Sequence, residues 1–117
     1  MKRALILLAF CASAQAQNTA TITFSAPTQR ADGTQIEGVV SYRLHQGLRG
    51  QPKTVVSTFQ GLQAIVSTGL LNGRTYCWQV SAFETVDSVA GPDSALSNEA
   101  CKTFQASPPQ PVTITVQ

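Results

Sequence analysis

The sequence predicts an all-β protein, folded as an antiparallel β-sandwich. Two observations carry that reading. Short runs alternate apolar and polar residues with a period of two, and Gly, Pro, Asp and Asn punctuate them at turn-like intervals. Past the N-terminal stretch, no window of useful length carries a helical period. In order, Thr19 to Phe24 (TATITF) sets Ala20, Ile22 and Phe24 on one face. Val40, Tyr42 and Leu44 alternate with Ser41, Arg43 and His45. Lys53 to Phe59 is rich in Thr and Val, and Leu62 to Thr68 is another β-type run. Tyr76, Trp78, Val80 and Ala82 share a face opposite Cys77, Gln79 and Ser81. Trp78 is expected to be buried opposite Tyr42.

The ends of the 117-residue chain have a different character. Met1-Lys2-Arg3 is basic, Ala4 to Ala12 is apolar, and Ala14-Gln15-Ala16 is a small-x-small site. That is the anatomy of a secretory signal peptide over residues 1–16, cut near Ala16. The apolar run is short against the roughly 20 residues a membrane-spanning helix needs. An uncleaved anchor is the alternative, and a lipoprotein at Cys11 is disfavoured by the bulky Phe10 before it. Cleavage leaves a domain over residues 17–106 and a Pro-rich C-terminal tail over 107–117 that ends in VTITVQ. Lys2 and Arg3 leave with the leader, so eight basic residues become six against six acids. The mature chain is neutral, has no Lys/Arg cluster and contains no second apolar run, which argues against nucleic acid as partner and against a membrane span.

Cys11 also leaves, so Cys77 and Cys101 remain. An exported chain with two cysteines invites one disulfide. If the two face each other across an antiparallel pair, the turn is centred on Val89, inside the loop-like VDSVAGPD of residues 86–93. Cys77 alternates away from the Tyr76/Trp78 face, so the bridge is expected on the outer face of the sheet. Closing about 25 residues should stabilise by roughly 3–4 kcal/mol in the chain-entropy model. Free thiols or intermolecular bridges are the alternative.

GLLNGRTYCWQVSAF, residues 69–83, resembles the E–F corner and F strand of fibronectin type III domains, with Leu70, Gly73, Tyr76, Val80 and Ala82 matching in spacing. ITFSAP (22–27) looks like strand B, with Phe24 where that family usually has Trp. GVVSYRL (38–44) looks like strand C, with Tyr42 and Leu44 on its alternating apolar face and Tyr42 fitting its core tyrosine. GPDSALSNEACKTF (91–104) is similar to the start of strand G in bacterial and phage members. The resemblance implies a fibronectin type III-like, immunoglobulin-like sandwich with Phe24, Tyr42, Leu44, Leu70, Tyr76, Trp78, Val80 and Ala82 as structural core. It also implies a tyrosine corner in which the Tyr76 hydroxyl bonds upstream backbone. Two departures stand out: Ser67 falls where the family buries an aliphatic residue, and the family's first strand, A, is missing.

Catalytic chemistry has little to build on. His45 is the lone histidine, on an outward strand position, and no Ser/His/Asp frame, metal-ligand spacing or phosphate loop is recognisable. No catalytic residue, metal or cofactor is expected. In the family the B–C and F–G loops share one pole. Asp32, Glu37, Glu84, Asp87 and Asp93 would cluster there as candidate binding loops, with Arg49, Lys53 and Arg74 toward the other pole. Solvated loops are the plain reading of these charges; of the sharper ones, head-to-tail association is favoured over a weak Ca²⁺ site, because loop acids without fixed spacing make a poor cation cage. The expected function is a non-enzymatic module, exported to the periplasm, the exterior or the envelope, that binds protein or glycan at a cell, phage or appendage surface. The alternative is a structural subunit that self-associates through strand donation or head-to-tail contacts.

Overall fold

The computed structural model describes residues 18–106 and 108–117. The expected leader and its cleavage near Ala16 lie outside the described residues. Seven strands and no helix form the described chain: β1 (Ala20–Thr23), β2 (Val39–Leu48), β3 (Thr54–Phe59), β4 (Gln63–Val66), β5 (Arg74–Val86), β6 (Val89–Ala90) and β7 (Ala100–Phe104). Every pairing is antiparallel. β1 and β4 make a two-stranded sheet, while β3, β2 and β5 make a larger one extended by β6 and β7 along the far side of β5. Among the described residues no helix is long and apolar enough to cross a membrane.

Period-two alternation decides which faces meet. Ala20 and Ala64 of the small sheet are buried in one cluster with Tyr42, Leu44, Tyr76, Trp78, Val80 and Phe104 of the large sheet, and with Leu70. Phe24 and Ala82 pack against it partly buried. In β4 the inward residues are Ala64 and Val66, which leaves Ile65 62% exposed and Ser67 outside the strand on the surface. The Phe24 ring meets Tyr42 edge-on at 4.7 Å and Phe59 at 5.8 Å.

Trp78 is buried, but its partner differs from the expectation. β2 and β5 pair so that Tyr42 faces Ala82 and Trp78 faces Gln46. The indole N–H donates to Gln46 Oε1 at 2.8 Å, so the polar end of the ring is satisfied within the sheet. Tyr42 packs instead with Phe24 and Phe59.

The disulfide joins Cys77 to Cys101, which face each other across β5 and β7. The bridge leaves the face away from the core, but that face is not open at Cys77, which is fully buried. Gly47 is its neighbour on β2, and a Cβ at Gly47 would lie 2.7 Å from Pro52 O and 3.1 Å from Lys53 Cγ. Absence of a side chain there lets the Pro52–Lys53 segment close over the sheet beside the cysteine. Nor does the turn sit at Val89. Asp87 and Ser88 form a two-residue turn with φ of 51° and 65°, the left-handed pair that suits hairpin twist. Val86 then pairs with Val89, and the register jumps by three residues before Cys77 meets Cys101. Ser94 and Ser97 absorb the jump. Each donates its backbone N–H to β5, at Ala82 O and Val80 O, while each hydroxyl accepts the N–H of the same β5 residue at 2.9 Å.

The tyrosine corner is present. The Tyr76 hydroxyl accepts the Leu71 N–H at 2.9 Å and donates to Gly69 O at 3.2 Å. Gly69 and Gly73 flank the corner at φ of 77° and 84°, where a side chain would be strained.

Candidate functional site

The expected acidic pole exists as a region, though its charges are wired differently from five free loop carboxylates. Glu84 lies in β5, not in a loop. Its carboxylate accepts Arg30 Nε–H at 2.8 Å and Nη2–H at 3.2 Å, a bidentate pair. The same carboxylate accepts the backbone N–H groups of Glu37 and Gly38, both at 2.7 Å. Hydrogen bonding from Arg30, and then from those two amides, lowers the Glu84 pKa from 4.5 to about 2. The clamp requires β5 to approach the 29–38 loop closely, and Gly38 permits this: a Cβ there would lie 2.1 Å from Thr85 O.

The loop that presents Arg30 is itself a small hairpin. Gln29 bridges to Gln35, Arg30 N–H donates to Thr34 O, and Gly33 turns the chain at φ 87°. Asp32 serves this turn by accepting both the N–H and the hydroxyl of Thr34, and these bonds hold its carboxyl below the usual range. Glu37 lies 3.7 Å from Arg30 with its side chain largely in solvent. Asp87 occupies the β5–β6 turn. Asp93 pairs with Arg43, whose guanidinium lies 4.0 Å above the Phe83 ring. Four of the five acids therefore have partners within the chain: Asp32, Glu84 and Asp93 through hydrogen bonds, and Glu37 through a looser ion pair with Arg30. The one-sided charge read from the sequence is offset by Arg30 and Arg43, neither of which stood out there. The opposite pole has its own pair, Lys53 with Glu99.

Between these loops lies an open cleft of about 510 Å³. Its walls are Pro27, Ile36, Val40, Val86, Val89 and Pro92, with Arg30 and Glu84 among its polar groups. Val89 projects from the rim, 69% exposed. The cleft is largely apolar, and its charged lining residues Arg30, Asp32, Glu84 and Asp93 are hydrogen-bonded within the chain, so it offers chiefly hydrophobic contact.

A second cluster, on the outer face, went unrecognised in the sequence. His45 Nε2 lies 3.0 Å from Ser81 Oγ, and the Ser81 hydroxyl donates to Asp93 Oδ2 at 2.9 Å. Serine, histidine and aspartate meet here in an order unlike that of a nucleophilic triad. In a triad the serine gives its proton to histidine and the aspartate orients the histidine. Here the single hydroxyl proton goes to Asp93, so His45 must donate to Ser81, and Ser81 is buried. Alternation on β2 and β5 put both residues on one face; the link through Asp93 depends on long-range folding. Cys77, Glu99 and Cys101 also bring three potential ligand atoms within 4.8 Å of one another. Both sulfurs are in the disulfide and Glu99 pairs with Lys53, which leaves no thiolate to bind metal. The chain matches no protein-family model, and no curated protein matches it in sequence.

Proposed function

We propose that this is an exported, fibronectin type III-like β-sandwich acting as a non-enzymatic interaction module, with the cleft between the 27–38 loop and the β5–β6 turn as its binding site. The cleft carries the reading: it joins exposed apolar side chains to a loop held rigid by the Arg30–Glu84 clamp. Rigid presentation of an apolar surface lowers the ordering cost of binding. The fold assignment draws support from the Tyr76 corner and from two antiparallel sheets sharing one core. Export draws support from the leader-like N-terminus and the Cys77–Cys101 bridge. The buried, aspartate-bound Ser81 supports a non-enzymatic role.

Of the two ligand classes, protein suits the cleft better than glycan. Sugar rings are gripped by open aromatic faces, and the nearby Phe83 ring is covered by Arg43. Pro27, Ile36, Val89 and Pro92 match apolar side chains of a protein segment. The test is quantitative pull-down from surface extracts with wild type and Val89→Arg, beside a glycan array. Proteins enriched by wild type and lost with Val89→Arg are expected. Equal enrichment by both, or array binding alone, overturns the assignment.

A further inference from the structure

A different part of the molecule, the free side of β1, offers an edge to a further strand. Phe24 N–H donates to Leu62 O, and the β1–β4 register continues from that pair through Ile22–Ala64 and Ala20–Val66. Hydrogen-bonded pairs alternate along an antiparallel ladder. The N–H and C=O groups of Thr21 and Thr23 therefore point to the other edge of β1, where no strand lies among the described residues. On that edge Lys102 Nζ donates to Thr19 O at 3.0 Å, which caps one carbonyl and leaves the threonines beyond it open. Ile22 and Phe24 remain only partly covered on the inner face.

Residues 112–115 read VTIT, and β1 reads ATIT. The later segment has the pattern of a strand that already pairs in this protein, yet among the described residues it pairs with nothing: Val112, Ile114 and Val116 are 88%, 81% and 87% exposed. Three alternating apolar side chains held in water are a strand face without a sheet.

We propose that residues 112–117 of one copy add as an antiparallel strand to the open edge of β1 in a second copy. Alternation allows only even shifts, and the one that pairs all six residues of 112–117 with 19–24 sets the register. Ile114 lies opposite Ile22, Thr115 opposite Thr21 and Thr113 opposite Thr23; Val116 and Val112 then fall opposite Ala20 and Phe24. In this register every apolar residue faces the core and the threonines pair outside, whereas a one-residue slip would turn the threonines inward. The Thr113 and Thr115 N–H groups meet the open groups of β1.

The donor comes from another copy because of where the segment leaves the domain. The Lys102–Thr19 contact puts the end of β7 beside the start of β1. A segment returning directly onto its own β1 would run parallel to it, the weaker pairing. Pro108, Pro109 and Pro111 keep the connection extended and free of ladder donors. A second copy imposes no such direction. The contact is small, so assembly is expected at concentrations on the order of 100 µM and is lost on dilution.

The test uses the exported chain with its disulfide intact. Ile22→Cys and Ile114→Cys proteins are mixed in a glutathione buffer and the bridges mapped by mass spectrometry. The pair is non-hydrogen-bonded, with Cα atoms about 4.5 Å apart, which suits a disulfide. The expected result is a dimer linking 22 to 114, formed about tenfold faster than from a Thr21→Cys and Ile114→Cys mixture. In parallel, light scattering should find wild type assembling on concentration and the Thr113→Pro/Thr115→Pro variant monomeric. That variant alters only an exposed segment, so its fold is not at risk. Equal cross-linking from positions 21 and 22, an Ile22→Cys/Ile114→Cys chain bridging to itself, assembly by the proline variant, or a wild type monomeric at every concentration would each overturn the proposal.

Discussion

Tyr76→Phe removes one oxygen and no packing volume of consequence, so it isolates the corner's hydrogen bonds. The Tyr76 side chain is buried, and its hydroxyl is both acceptor for Leu71 N–H at 2.9 Å and donor to Gly69 O at 3.2 Å. Each bond has a net worth of about 0.5–1.5 kcal/mol, and an orphaned partner costs more when water cannot reach it. Gly69 and Leu71 both lie at the surface, where water reaches the freed groups, so the expected loss is that of the two bonds alone, about 2 kcal/mol. For a domain of this size that lowers Tm by roughly 8–16 °C. Urea unfolding followed by Trp78 emission measures it, with an unchanged m-value showing that the unfolded reference is the same. A loss below about 0.5 kcal/mol would refute the claim that the hydroxyl anchors the 69–71 backbone.

Four further outcomes follow. Trp78→Ala should cost about 3–5 kcal/mol, and wild-type emission should be that of a buried indole; a water-like spectrum from folded protein would contradict the register. Glu84 has a folded pKa lowered from 4.5 to about 2, so its stabilisation is complete above about pH 4.5 and is lost as pH falls toward 2. Acid titration of wild type against Glu84→Gln should show their stability difference constant at neutral pH and shrinking through that window; a difference independent of pH would contradict the clamp. Gly38→Ala should destabilise by about 1–3 kcal/mol and weaken the Glu84 contacts, because its methyl has no room beside Thr85 O; thermal melting checks it. Mass spectrometry of exported protein should find Gln17 as first residue, and an intact Met1 would contradict cleavage.

What was legible in the sequence was whatever alternation alone decides. The strand runs and the Tyr76–Trp78–Val80 face follow from a period of two, and the pairing of Cys77 with Cys101 from there being two cysteines past residue 16. Three features needed information that local pattern does not carry. The partner of Trp78 depends on how far β2 slides along β5, and alternation tolerates a shift of two residues at a time, so it does not distinguish Tyr42 from Gln46, which lies two such steps along the same face. The position of the last turn was hidden because Ser94 and Ser97 replace backbone groups with side-chain oxygens and so absorb three residues; two serines three apart were the available signal. The acidic pole was misjudged because Arg30 and Glu84 are 54 residues apart in sequence. Past residue 16 the sequence has six acids and six bases, a balance that does not say which groups pair.

The central claim is that the cleft beside the Arg30–Glu84 clamp binds another protein. A photo-crosslinking residue at position 89, on the cleft rim, compared with one at position 65 on the exposed face of β4, tests it most directly. Both sites are open to solvent, at 69% and 62% exposure, so accessibility does not separate them. The account predicts a discrete adduct to a different protein from position 89 and none from position 65. Adducts of equal yield from both positions, or from position 65 alone, would contradict it.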